Sequence, residues 1–298
     1  MNTKLKLSSG NISIIFQSND QDVIEYFMND PLPSIHIPGY NAQLIKNIHT
    51  KEQITVFKHS YIPGSKAKLK QQKNLIEFLS PSKVPPGQFV FALLPVFEKL
   101  YEKNNLLGLH ASSVKINNCS VFILGNTKAG KSTLAAKLHY DYNADFLSDE
   151  RSLVNTESNS IVQGTQLISL RRDVVDLEYL NRNKLKKFAT LGSKSTSKIY
   201  YKPKNKPLYP SEINKILFIF PFFNNQGIST SLMNDFSLSY FLMENINETI
   251  RSCISLFVDD SIPFPSQDNQ KLAEVRAKKI TKLLKTIPHE AYEITGDI

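Results

Sequence analysis

Residues 120–138 read SVFILGNTKAGKSTLAAKL. The apolar run from Ser120 to Leu124 has the composition of a buried strand, and the residues from Thr133 onward favour a helix. Between them stands Gly125-Asn126-Thr127-Lys128-Ala129-Gly130-Lys131-Ser132. This is G-x-x-x-x-G-K-S in the strand–loop–helix context that marks a phosphate-binding loop. The glycines let the backbone curl so that successive N–H groups point inward, and the helix that follows adds its positive end. Lys131 is expected to reach the β- and γ-phosphates of a nucleoside triphosphate such as ATP, and the Ser132 hydroxyl suits Mg²⁺. With Thr133, the candidate nucleotide-binding residues run from Gly125 to Thr133. The rival reading is a glycine-rich turn with a surface lysine, and the flanking strand and helix count against it.

The chain has 298 residues, enough for one large domain or two modest ones. A hydrophobic content of 41% and a charged content of 21% are those of a soluble globular protein. No apolar run approaches the roughly 18 residues that cross a bilayer. The longest, FVFALLPVF at 89–97 and ILFIFPFF at 216–223, are expected as core strands or helices interrupted by proline. The N-terminal stretch MNTKLKLSSGNISIIF lacks the sustained apolar region of a secretory signal, so a cytoplasmic location is expected. Cys119 and Cys253 fall in a predicted strand and a predicted helix and read as buried free thiols.

The net charge of +9 is unevenly placed. No acidic residue falls between Tyr179 and Ser211, where Arg182, Lys184, Lys186, Lys187, Lys194, Lys198, Lys202, Lys204 and Lys206 stand. A smaller cluster comprises Lys66, Lys68, Lys70 and Lys73. Such runs are either solvated loops or fields that attract an acidic partner.

Residues 1–105 read as a small β-rich N-terminal domain. KLKLSS, ISIIFQ, ITVFKHS and LIEFLS are its strands, and VFEKLYEKNN is a helix leading out of it. Residues 106–298 read as a second domain of α/β class. LLGLHASSVKI and CSVFIL are consecutive strands joined by the turn Asn117-Asn118, and KSTLAAKLHYDY is a helix. ADFLSDERSLV is a strand that reaches charged residues, and TQLISLR, SKIYYK and KILFIFP are further strands. FSLSYFLMENINETIRSCISLF and KLAEVRAKKITKLLKTI are helices, the second with Leu272, Val275, Ile280, Leu283 and Ile287 on one face. EAYEIT is an edge strand. A mixed sheet flanked by helices is the expected architecture.

A second acidic motif follows the loop. Phe146 and Leu147 lead into Ser148-Asp149-Glu150, with Asp149 18 residues after Lys131. This spacing predicts a neighbouring strand whose end carries two carboxylates facing the loop. Asp149 is placed to hold Mg²⁺, and Glu150, or Asp149 itself, to take a proton from an attacking hydroxyl. An ordinary solvated strand end is the alternative. ATPase machines place their Asp-Glu pair much farther downstream, and no N-K-x-D guanine motif is present.

LLGLHASSV, the phosphate-binding loop and FLSDE together resemble the catalytic domain of HPr kinase/phosphorylase and its related serine kinases. The resemblance covers about residues 106–172 and implies a P-loop-kinase-like sheet and phosphoryl transfer from ATP with Mg²⁺. It aligns His110 with the active-site histidine, Lys131 and Ser132 with the phosphate and Mg²⁺ residues, and Asp149 and Glu150 with the acidic pair. A one-residue ambiguity between Lys131 and Asp149 leaves open which carboxylate is the base. Without the resemblance, His110 reads as a buried core histidine. The family signature L-E-V-R-G-L-G is missing, since GTQLISLR at 164–171 lacks its glutamate and both its glycines. This weakens HPr as substrate and fits the divergent relatives of peptide-modification clusters. Arg171 reads as a phosphate contact or a structural residue.

The expected activity is therefore that of an ATP- and Mg²⁺-dependent kinase acting on a hydroxyl, with a serine of a peptide or small protein as acceptor. His110, Lys131, Asp149 and Glu150 are its candidate catalytic residues, and Ser132 and Asp149 its metal residues. A nucleotide-dependent regulatory module and a small-molecule or nucleic-acid 5′-end kinase are the alternatives. A peptide or small-protein substrate and a possible homo-oligomer are the expected partners; nucleic acid and a membrane are not.

Overall fold

The computed structural model describes residues 2–46, 54–171, 186–191, 198–222, 227–251, 256–257 and 262–296. They form a mixed α/β protein of several sheets and six helices, which divides into two compact units. One unit comprises Met1–Lys103 with Asn247–Gln270, and the other Asn104–Ile246 with Lys271–Ile298. No described helix is long and apolar enough to cross a membrane.

The first unit is built on six strands: β1 (Thr3–Ser9), β2 (Ile12–Ser18), β3 (Tyr40–Leu44), β4 (Thr55–Tyr61), β5 (Lys68–Gln72) and β6 (Leu75–Ser80). Their order is β3-β1-β2-β4-β6-β5, with β2, β4 and β6 parallel. Its helices are α1 (Gln21–Asn29), α2 (Leu32–His36) and α3 (Pro86–Lys103). Alternation sends Phe16, Phe57 and Phe78 to one face, where they meet Phe27 and Phe89. β1, β2, β4 and β6 match the expected strands, whereas β3 and β5 were not anticipated because their residues are largely polar and exposed. FVFALLPVF lies within α3, and the helix continues through Pro95. Burial of Phe89, Val90, Leu93, Val96 and Phe97 along the helix outweighs the one backbone bond that Pro95 forfeits.

The second unit centres on β8 (Ser112–Ile116), β9 (Cys119–Ile123), β10 (Asp145–Ser148), β17 (Lys215–Phe222), β18 (Ser229–Leu232) and β21 (His289–Thr295). The order is β10-β8-β9-β17-β21-β18. β9, β17 and β21 run parallel, and the remaining pairings are antiparallel. EAYEIT, expected at an edge, is β21 and lies inside the sheet, because β18 pairs with its outer side. β8 and β9 turn through Asn117 and Asn118, both with positive φ, as a two-residue hairpin requires. Smaller sheets combine β7 (Leu106–Leu109), β11 (Ser152–Asn155), β12 (Ser160–Gly164) and β16 (Ser211–Glu212), and then β13 (Ile168–Arg171), β14 (Lys186–Leu191) and β15 (Lys198–Lys202). Two further short strands, β19 (Leu256–Phe257) and β20 (Ile262–Pro263), belong to the first unit and pair with each other.

Helices α4 (Lys131–Asp141), α5 (Asp235–Ile250) and α6 (Gln270–Thr286) complete the fold. Period-2 alternation divides the large sheet between two cores. Phe122, Leu124, Phe218 and Phe220 pack with Leu238, Leu242 and Ile246 of α5 and Ile280 and Leu283 of α6. Val121, Ile123 and Ile219 pack instead with Ala135, Ala136 and Tyr140 of α4, and with Ile168, Leu170, Ile199 and Tyr201 of the β13–β15 sheet. On α6, Arg276 is fully buried while Val275 is half-buried. Cys119 is a half-buried free thiol rather than a fully buried one, and Cys253 lies outside the described residues.

Two expected strands are each broken in two. LLGLHASSVKI divides into β7 and β8, which belong to different sheets. The Ala111 N–H donates to the Leu109 carbonyl at 2.9 Å, closing a three-residue turn with His110 at its centre. ADFLSDERSLV likewise divides into β10 and β11, with Asp149, Glu150 and Arg151 at the bend. His110 and the acidic pair therefore stand at breaks between sheets and not within strands.

Candidate functional site

β8 runs antiparallel to both β9 and β10, so β9 and β10 point the same way. The start of β8 thus lies beside the ends of the other two, with Ser112 opposite Ile123 and Ser113 opposite Ser148. His110 just before β8, Gly125 just after β9 and Asp149 just after β10 consequently leave the sheet at one edge. That is the carboxyl edge of the strands, where ligands of open α/β sheets bind. The acidic strand is not the immediate neighbour of β9, as the spacing had predicted, because β8 lies between them.

A cleft of about 270 Å³ opens at this edge, lined by His110, the stretch Thr127 to Thr133, Asp149, Glu150, Ser169, Arg171 and Lys198. The loop takes positive φ at two glycines and at one residue, Lys128, that rarely adopts it. φ is 139° at Gly125 and 78° at Gly130, and Lys128 adopts 73°. A Cβ on Gly125 would stand 3.3 Å from that of Ala129. Gly130 precedes α4 without a side-chain cap, so no capping side chain stands at the positive end of the helix. The Lys131 ammonium bridges the loop, donating to the carbonyls of Gly125 at 2.8 Å and Asn126 at 3.1 Å.

Asp149 is buried and held on both oxygens. The Ser112 hydroxyl donates to one at 2.6 Å, and the Ser169 N–H of β13 to the other at 2.6 Å. Ser132, at the start of α4, also favours the ionised form, less than Ser112 and Ser169 do. Burial first, and the neighbouring Glu150 charge second, push the Asp149 carboxyl up to about 6, against the opposing pull of these bonds. A buried carboxylate whose ionised form is disfavoured suits a cation. Among the described residues no group of three or more His, Cys, Asp or Glu could hold a metal unaided. Mg²⁺ takes only one or two carboxylates and completes its shell with water and phosphate oxygens, so the Ser132–Asp149 pair fits it.

Glu150 faces the cleft, its side chain 15% exposed. Lys198, at the start of β15, meets one oxygen at 3.1 Å, and His110 Nε2 lies 3.6 Å from the other. Burial acts to lower the Lys198 pKa, but the charge of Glu150, with smaller help from Tyr200 and Asp149, leaves the ammonium above its usual range. Thr165 fixes the bend: its hydroxyl oxygen accepts from the N–H groups of Glu150 at 2.9 Å and Arg151 at 3.0 Å. The Asn245 amide of α5 does the same for His110, accepting from its N–H at 2.8 Å and donating to its carbonyl at 3.0 Å.

Every residue expected in the catalytic set, His110, Lys131, Asp149 and Glu150, is thus in one cleft, as are Thr127 to Thr133 and Arg171. Of the basic run, Lys198 lines the cleft, while Arg182, Lys184 and Lys194 lie outside the described residues. Ser112, Thr165, Ser169 and Asn245 escaped sequence reasoning. Ser169 carried a faint signal, as a hydroxyl between the apolar Ile168 and Leu170; Ser112 and Asn245 carried none, each being one of several polar residues on its element. No protein-family model matches the chain, and comparison with curated proteins finds no significant match.

Proposed function

We propose that this chain is an ATP- and Mg²⁺-dependent kinase with a P-loop-kinase-like catalytic domain, which transfers the γ-phosphate to the serine hydroxyl of a peptide or small protein. The observation that carries the reading is the meeting, in one cleft, of loop residues Thr127–Thr133 with the buried Asp149 carboxylate and the cleft-facing Glu150 carboxylate beside it. In this reading the loop N–H groups and Lys131 hold the triphosphate. Mg²⁺, when bound by Ser132 and Asp149, neutralises charge on the phosphate oxygens. Asp149, buried and bonded by Ser112 and Ser169, is assigned to the metal and leaves the role of base to its cleft-facing neighbour. Glu150 takes that role. The acceptor oxygen bonds to the γ-phosphorus, the bond to the bridging β,γ-oxygen breaks, ADP leaves with the electron pair, and the hydroxyl proton passes to Glu150. Lys131, Lys198 and Arg171 offset the charge on the transferred group.

The test is transfer from γ-labelled ATP to a serine-containing peptide encoded beside the gene, with nucleotide binding measured in parallel. Asp149→Asn should weaken Mg²⁺-dependent nucleotide binding. Glu150→Gln should bind nucleotide but lose transfer by roughly 10²–10⁴-fold, as for removal of a general base. Transfer by both variants at the wild-type rate would overturn the assignment. Nucleotide binding by the wild type without transfer to peptide, small-molecule or nucleic-acid hydroxyls would favour a nucleotide-dependent regulatory module. The engagement of both Glu150 oxygens by Lys198 and His110 is the one feature that favours that second reading.

A further inference from the structure

His110 stands where the chain passes from one sheet to another. The register of β7 with β11 ends at Leu109, and that of β8 with β9 begins at Ser112. Among the described residues no strand is in register with His110, so its N–H and carbonyl lack the ladder partners that strand residues have. Asn245 supplies both bonds. Its Oδ1 accepts from the His110 N–H at 2.8 Å, and its Nδ2 donates to the His110 carbonyl at 3.0 Å. A side-chain amide presents an acceptor and a donor side by side, as a neighbouring strand does; a carboxylate only accepts and an aliphatic chain does neither.

Asn245 is itself carried by a fixed element. Leu242 and Ile246, one turn before it and one residue after it on α5, are fully buried. They share one core with Leu109 and Ala111, the residues on either side of His110. What the turn carries bears on the cleft. His110 Nε2 stands 3.6 Å from one oxygen of Glu150, and Lys198 stands 3.1 Å from the other. Lys198 belongs to β15, which has a strand on each side, β13 and β14. His110 belongs to the short gap between β7 and β8. The placement of the second Glu150 oxygen therefore depends on a turn whose central peptide groups are held by Asn245.

We propose that Asn245 is a positioning residue of the phosphoryl transfer: by fixing the His110 turn it holds the imidazole against Glu150, and so holds Glu150 where it takes the acceptor's proton. This rests on the reading of Glu150 as base. Asp149 keeps its bond from the Ser169 N–H of β13, so nucleotide binding does not depend on Asn245.

The test combines Asn245→Ala, His110→Ala and the double variant in the transfer assay with γ-labelled ATP and the serine-containing peptide. Asn245→Ala should lower kcat by roughly 10- to 100-fold, the effect of displacing a reacting group by about 1 Å, and leave the Kd of a non-hydrolysable ATP analogue within about twofold. In the double variant the losses should not multiply, because Asn245 acts through His110. Multiplying losses, an unchanged kcat, or a loss confined to nucleotide affinity would overturn the proposal. Hydrogen exchange of the nucleotide-free protein reads the clamp without any turnover. The His110 amide should be protected in the wild type and exchange roughly tenfold faster or more in Asn245→Ala; equal exchange would also overturn it. Should Asn245→Ala fail to fold, Asn245→Asp, which keeps an acceptor for the His110 N–H, takes its place in both measurements. A wild type that transfers no phosphate would overturn the kinase reading and this role with it, whereas transfer by the wild type and by Asn245→Ala at one rate would overturn this role alone.

Discussion

Lys131 shows how one side chain serves the loop that carries it. Its ammonium lies across the loop's own carbonyls of Gly125 and Asn126, where the phosphates of a nucleotide are proposed to lie. Lys131→Ala should therefore weaken binding of a non-hydrolysable ATP analogue by about 1.5–3 kcal/mol, the size of a charge-assisted hydrogen bond. Calorimetric titration in Mg²⁺ would read this, and equal affinities would remove Lys131 from the site. A different residue, in the first unit, contributes to the response to acid. His59 is fully buried in the first unit, with its two ring nitrogens at 2.9 Å from the hydroxyls of Ser18 and Ser80. Burial lowers its pKa from 6.5 to about 4. Between those values the unfolded chain binds the proton and the folded one does not. The stabilisation is then complete above pH 6.5 and is lost as pH falls toward 4, by up to roughly 3 kcal/mol. Urea unfolding at pH 7 and pH 5 should show the wild type losing more stability than His59→Gln, since the raised Asp149 carboxyl acts in the opposite direction in both.

At the scale of elements, the breaks matter more than the strands. His110 is the centre of the turn between β7 and β8, and Asp149 to Arg151 form the bend between β10 and β11. Each break is held from outside, the first by Asn245 and the second by Thr165. Gly164, next to Thr165, lets β12 approach β10 closely. A Cβ there would lie 2.5 Å from the Cβ of Ser148, 2.6 Å from the Tyr209 hydroxyl and 2.9 Å from the Leu147 carbonyl. Gly164→Ala must push the acidic bend away, and should cost about 1–3 kcal/mol of stability as overpacking does. Nucleotide binding should weaken with it. Gly227→Ala, where nothing lies within 4 Å, is the control and should leave stability nearly unchanged. Denaturant unfolding of the two variants decides; equal stabilities would mean that the bend yields freely.

On the scale of the whole molecule, the excess of positive charge is the dominant long-range feature. Lys198 engages Glu150 within the cleft, while Lys187, Lys202, Lys204 and Lys206 lie on or beyond β14 and β15. Lys202 and Lys204 rest over the rings of Phe188 and Tyr140 at 5.1 Å. Exposed charges act over about 10 Å at 0.1 M salt. If they guide an acidic peptide to the cleft, KM for that peptide should rise steeply with ionic strength while kcat changes little. Initial rates over a salt series would check this, and a salt-independent KM would identify the run as merely solvated.

The large elements were legible in the sequence because their information is local. Continuous apolar runs marked β9 and β17, the 3.6-residue period marked α6, and the spacing of glycines, lysine and serine marked the loop at Gly125–Ser132. Motif and spacing likewise singled out Asp149 and Glu150, and resemblance singled out His110. Tertiary structure decided the rest. It inserted β8 between the two motif-bearing strands, broke two apolar runs into different sheets, and carried an apolar helix through Pro95. It also gave the two carboxylates separate surroundings, burying Asp149 among Ser112, Ser169 and Ser132 and setting Glu150 between Lys198 and His110. Those partners lie 17 to 48 residues along the chain from the carboxylates they surround. A short-range pattern carries no record of such pairings, because they arise only when separate sheets close around a common edge.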